Sequence, residues 1–155
     1  MIIDKEFLRE HAEHRKELRD ELQRYELTHG VSYYGKSPSN IDGMPHAHSG
    51  GNATMDSVIR KQDTETYIDK LETLVNKEQR QIEEVLRKIS KANQKYVIRL
   101  KYYHCLDWED ITDHMYGDVR GYFEYMEKYK TKCIRVHGLA LQNIIKAQKE
   151  EQMHG

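Results

Sequence analysis

Seven residues, Ile68, Leu71, Val75, Glu78, Ile82, Val85 and Ile89, recur at alternating spacings of three and four. On a helix of about 3.6 residues per turn, such a series lies along one narrow face. A stripe this long and this thin cannot make a core by itself, so a second helix must be laid along it. Glu78 is the single acidic interruption of this otherwise apolar seam. Leu74 and Leu86 widen the stripe toward a further neighbour. Both prolines, Pro38 and Pro45, stand outside the series, which leaves a helix free to run from about Thr54 or Met55 to Ile89. The chain therefore reads as all-α.

The partner has two sources. Residues 4 to 27 are highly charged, with Phe7, His11, Leu18, Leu22 and Tyr25 on one face. This first helix can fold back as an antiparallel hairpin, or the seam can zip against a second copy as a coiled coil, and the pattern admits both. Between the two helices lies a stretch rich in Gly, Ser, Asn and Pro, without periodicity, which reads as a flexible loop. The chain thus divides into a charged helix (1–28), a loop (29–54), a long heptad helix (55–90) and a C-terminal unit (91–155). Hydrophobic residues are only 37% of the chain against 33% charged, with one Trp and two Phe. That balance suits helices burying narrow stripes better than a thick layered fold.

The C-terminal unit holds three amphipathic segments. The first, capped by Ser90 or Asn93, directs Val97, Leu100, Tyr103 and Tyr96 inward. A short helix opens at Asp107, an N-cap with Asp110 three residues on, and carries Trp108, Ile111 and Met115 on its apolar face until Gly117. In the last segment Phe123, Met126, Cys133, His137, Ala140 and Ile144 form a stripe, flanked by Ile134, Leu141 and Ile145. Residues 119–127 can either open this helix or form a separate turn. The formal net charge of −1 hides a strong polarity. Asp107 to Asp118 contains five acids and no Lys or Arg, whereas Lys128 to Lys149 contains six basic residues and no acid.

Two short helices followed by a basic one is the pattern of a DNA-reading helix-turn-helix. Its core would be Leu100, Trp108, Ile111, Met115, Ile134 and Leu141. Lys128, Lys132 and Arg135 share one face of the final helix, and Lys130, Thr131 and Gln142 could add hydrogen bonds to phosphates or base edges. Arg99 and Lys101 could reach backbone phosphates. The same cations would equally suit a merely solvated face.

A resemblance favours the first reading. "VIRLKYYHCLDWEDITDHM" resembles a segment of sigma-factor region four, matched at Tyr102, Asp107, Trp108, Glu109 and Ile111. "YKTKCIRVHGLALQNI" is similar to the recognition-helix pattern, at Tyr129, Ile134 or Arg135, His137, Gly138, Ala140 and Leu141. "SPSNIDGMPHAHSGGNAT" resembles the linker of RinA/ArpU-type late-gene transcriptional regulators of Gram-positive phages, and the order of segments is the same. The resemblance covers most of the chain and implies a sigma-four-like helix-turn-helix that binds double-stranded DNA and activates phage late genes. In sigma-like units the acids of residues 107–118 can also meet RNA polymerase, which makes it a further partner. A second copy of the chain is the coiled-coil option of the heptad seam. The location implied is the cytoplasm of a bacterial host. Three departures stand out. The stretch "YGDVRGYFEYMEK" replaces a tight turn and leaves the chain about ten residues longer before the last helix than the compact pattern. Cys105 stands where Gly is common, and Leu139 where a basic residue is common. The alternative is a helical interaction protein that holds polymerase or a packaging component without reading DNA.

Other chemistries find little support. No glycine-rich phosphate loop, HExxH or nucleophile motif points to an enzyme, and no cofactor is expected. His46 with His48, or Cys133 with His137, could offer metal ligands, but no further donors complete a site. Tyr102, Tyr103, Tyr122, Tyr125 and Tyr129 suit half-buried packing more than base stacking. Two cysteines fit a reducing compartment, and "MIIDKEFLRE" lacks the apolar core of a signal peptide. No apolar run reaches membrane-spanning length, so no membrane partner is expected.

Overall fold

The computed structural model describes residues 2–35 and 53–154. Among them are α1 (Lys5–His29), α2 (Ala53–Leu86), α3 (Ala92–Tyr102), α4 (Trp108–Tyr116) and α5 (Met126–His154), with a 3-10 turn at Tyr122–Glu124. The described residues contain no strand, so the all-α expectation holds. None of these helices is long and apolar enough to cross a membrane. The Pro38–Pro45 linker and the His46–His48 pair lie outside the described residues.

The chain forms two compact units, residues 17–74 and residues 1–16 with 75–155, whose boundaries fall inside α1 and α2. This division cuts across the four segments expected from the sequence.

In the unit of residues 17–74, Ile68 is fully buried with Tyr25 and Tyr33, and Leu18 and Leu22 pack against them. The rings of Tyr25 and Tyr33 meet edge to face at 5.3 Å. Their hydroxyls donate to carboxylates of α2, Tyr25 to Glu65 at 2.7 Å and Tyr33 to Asp69. Burial and the Glu65 acceptor push the Tyr25 hydroxyl up to about 12. Each phenol thus buries its ring and spends its polar end on an acid, so a charged helix pair can pack with few aliphatic residues.

The other unit has its main core where Leu8 and Ala12 of α1 meet Ile82, Val85 and Leu86 of α2, Ile98 and Tyr102 of α3, and Ala140 and Ile144 of α5. Helix α2 ends at Leu86 rather than Ile89, yet Ile89 remains buried, so the seam outlasts the helix. Glu78 is 7% exposed, and its carboxylate accepts from His11 Nδ1 at 3.1 Å and His14 Nδ1 at 2.9 Å. The acidic interruption is therefore met by two imidazoles of the same chain. Buried His11 also meets the Tyr103 ring edge to face at 5.5 Å. At the chain's start, Ile3 and Gln148 exchange two hydrogen bonds, Ile3 N to Gln148 Oε1 and Gln148 Nε2 to the Ile3 carbonyl, both 2.7 Å. The pair fastens the residues before α1 to α5.

Three local expectations are corrected. Helix α3 starts after Lys91, which makes no side-chain cap, so neither Ser90 nor Asn93 serves. Tyr96 is 42% exposed, because its position turns outward between buried Gln94 and Val97. Phe123 is 84% exposed and stands in the 3-10 turn, off the stripe of α5. Asp107, by contrast, is the N-cap of α4, accepting from Asp110 N at 2.8 Å. Residues 118–125 form a turn of their own, in which Gly121, at φ +80, leads into the 3-10 turn.

Gly117 closes α4 in ordinary right-handed geometry. A Cβ there would sit 2.4 Å from the Asp113 carbonyl oxygen, a backbone atom that cannot swing aside. Gly117→Ala is expected to lower stability by about 1–3 kcal/mol, read as a lower urea midpoint. An unchanged midpoint would contradict this close approach.

Candidate nucleic-acid interface

Helices α3, α4 and α5 share a small second core of Leu100, Ile111 and Cys133, walled by Leu106, Trp108, Met115 and Tyr116. Leu141 packs partly against the main core instead. Ile134 does not join either: at 44% exposed it faces outward, because α5 turns Cys133, Val136, His137 and Ala140 inward. That corrects its expected place in the helix-turn-helix core.

The α4–α5 turn is held by aromatic rings. Tyr116 and Tyr129 stack at 4.9 Å, and Tyr122 and Tyr129 at 6.0 Å. The Tyr122 hydroxyl donates to Asp113 of α4, which pushes it up to about 12. The enlarged turn is thus a clasp that sets the angle at which α5 leaves α4. It also presents Val119, Phe123 and Tyr125 to solvent.

On the side of α5 away from the core, Lys128, Lys132, Arg135, Leu139, Gln142, Lys146 and Lys149 follow one another at spacings of four and three. All are exposed. The stripe runs for roughly 31 Å of helix. Lys132 is exposed, and its Nζ lies 5.3 Å from the Tyr116 ring centroid in a cation–π contact. Lys128 and Arg135 make no ion pair among the described residues.

The remaining expected contacts lie elsewhere. Lys130 is turned toward α4, 2.7 Å from Glu109. The Thr131 hydroxyl donates to the Glu127 carbonyl at 3.0 Å. Arg99 forks onto Glu83, Nε to Oε1 at 3.0 Å and Nη2 to Oε2 at 2.8 Å. This pairing, with the Tyr103 hydroxyl, holds the Glu83 carboxyl below its usual range. Arg99 and Lys130 therefore brace the helices instead of standing free for phosphates. Of the two described residues among those weighed as metal ligands, buried Cys133 has its thiol 3.8 Å from Met115 Sδ. The other, His137 Nε2, is 2.8 Å from the Tyr102 hydroxyl.

Lys101 is placed differently. Its Nζ lies 4.5 Å from the centroid of the Trp108 ring, in a groove of about 670 Å³. Lys5, Arg9, Ala12, Glu13 and Lys16 of α1 line one side, with Trp108, Ile134 and His137 opposite. Burial first, then the charges of Lys5, Arg9 and Lys16, push the Lys101 ammonium below its usual range. Burial, Lys101, Lys5 and Arg9 lower His137 to about 4. Sequence reading missed the α1 cations, although Lys5, Arg9 and Lys16 share a helical face at spacings of four and seven.

No family model matches the chain, and no curated protein or solved structure is significantly similar to it.

Proposed function

We propose that the protein is a sequence-specific DNA-binding transcriptional regulator, of the kind its resemblance to phage late-gene activators implies, with α5 as the reading helix. One observation carries the reading: five cations, Lys128, Lys132, Arg135, Lys146 and Lys149, share an exposed face of α5 with no acid between the first and the last. A helix about 10–12 Å across fits a major groove about 12 Å wide, and cations along its exposed edge would meet the flanking phosphates. Support also comes from the trihelical core, which holds α5 by its opposite face, and from the clasp that fixes its angle. A second copy of the chain would let two half-sites be read together.

A second reading has its own observation. Exposed Asp107, Asp110, Asp113 and Asp118 lie close in sequence to exposed Val119, Phe123 and Tyr125, which suits a protein partner such as RNA polymerase or a packaging component.

The two readings separate in a binding assay. For a regulator, a fragment from its own upstream or late-gene region outcompetes random duplex, and affinity falls steeply with salt. Replacing Lys132 and Arg135 together with Ala should erase that preference and lower the log–log salt slope by about 2. If no such fragment outcompetes random DNA at moderate salt, the partner-binding reading takes its place.

A further inference from the structure

The α1–α5 groove is lined by four cations, Lys5, Arg9, Lys16 and Lys101, against one acid, Glu13, which lies 3.3 Å from Lys16. Lys5, Arg9 and Lys101 form no ion pair among the described residues. On Lys101 the charges of Lys5, Arg9 and Lys16 outweigh the opposing pull of Asp107. Folding does not ask for this arrangement. Like charges repel across the groove, and Lys5 in the first turn of α1 opposes the positive end of the helix dipole. What would compensate these charges is an anion.

Size and continuity say which anion. Lys5 to Lys16 spans about 16 Å along α1, close to the rise of five nucleotides along one strand of a duplex. A single phosphate would leave most of these cations unmet. The far wall includes Ile134 of α5, and only Thr131 and Gly138 separate it on the helix surface from the exposed stripe of Lys128, Lys132 and Arg135. A strand lying in the groove would therefore pass directly onto that stripe. Trp108, Leu106 and Ile134 give the groove apolar walls on which sugars can rest.

We propose that the groove between α1 and α5 binds the phosphodiester backbone of the same DNA whose bases α5 reads. The proposal rests on the DNA-binding reading and adds α1 to its contact surface. The α1 cations then supply sequence-independent affinity, and α5 supplies selection.

Trp108 is the chain's only tryptophan, so its fluorescence reports this groove. The full chain is titrated with random 20-base-pair duplex, with its own upstream fragment and, separately, with inorganic pyrophosphate. Duplex of either kind should change Trp108 emission. The exposed pair Lys5→Gln and Arg9→Gln should weaken random-duplex binding about tenfold and lower the salt slope by about 2, while keeping preference for the upstream fragment. With Lys132 and Arg135 replaced by Ala, that preference should disappear while Trp108 still responds to random duplex. If only this last response survives in the unaltered chain, sequence reading fails and the groove stands. The groove proposal is overturned if duplex binds without changing Trp108 emission, or if the α1 variant binds it unchanged. It is also overturned if pyrophosphate, at equal phosphate concentration, changes emission as strongly as duplex, or if no duplex binds at all.

Discussion

Acidification from pH 7 to pH 4 is expected to lower folding stability by roughly 3 kcal/mol through His137 alone. The imidazole is 6% exposed and lies beside the cationic groove. Burial, with Lys101, Lys5 and Arg9, holds it neutral in the folded protein down to about pH 4. An unfolded chain lacks that environment, so its histidine takes up a proton near the ordinary value of about 6.5. Between those values the unfolded state binds more protons, and stability falls as pH falls. Above about 6.5 both states are neutral and the contribution is level. Buried His11, also lowered by desolvation, pulls in the same direction. Urea unfolding at several pH values, with His137→Gln beside the parent chain, isolates the contribution. The variant should lose about 3 kcal/mol less than the parent between pH 7 and pH 4, the remainder belonging to groups such as His11, whereas parallel pH curves would refute the assignment.

Truncating Ile111 to Ala is expected to destabilise the protein by about 2–5 kcal/mol. Ile111 is fully buried where α3, α4 and α5 meet, and α4 is only nine residues long. A helix that short has no stability apart from its packing. Losing this contact should loosen α4 and, with it, the clasp that orients α5, so Trp108 emission and DNA binding should change together. Ile134→Ala is the matched control. Because Ile134 is exposed, that change should shift stability by less than about 0.5 kcal/mol. Equal losses from the two substitutions would mean that Ile134, too, is part of the core.

The helices were legible because their signals are local. The spacing of Ile68 to Ile89 announced α2, and Asp107 announced the cap of α4. Sequence periodicity gave no sign that Cys105 takes φ 54, the left-handed conformation glycine adopts most easily, where α3 closes with Leu106 N donating to the Leu100 carbonyl at 3.2 Å. What periodicity could not supply is pairing across the chain. Arg99 and Lys130 look like free cations in sequence, and only the fold brings Glu83 and Glu109 to them. Ile134 follows Cys133 directly, and one residue of helix, a turn of about 100°, separates core from surface. The cationic groove was invisible for the same reason, since Lys5 and Lys101 are far apart in sequence and meet only when α1 packs beside α3 and α5.

Glu78 has one more consequence. A seam of uniform aliphatic residues can slide by a heptad, or accept any similar stripe, with little change in energy. With one carboxylate set among them, only the alignment that brings His11 and His14 opposite position 78 leaves no buried charge unmet. Two copies zipped in parallel along this stripe would instead press carboxylate against carboxylate. Glu78 thereby works as an address: it specifies which helix may lie on α2 and at what height, and it discourages self-pairing along the longest apolar line in the chain.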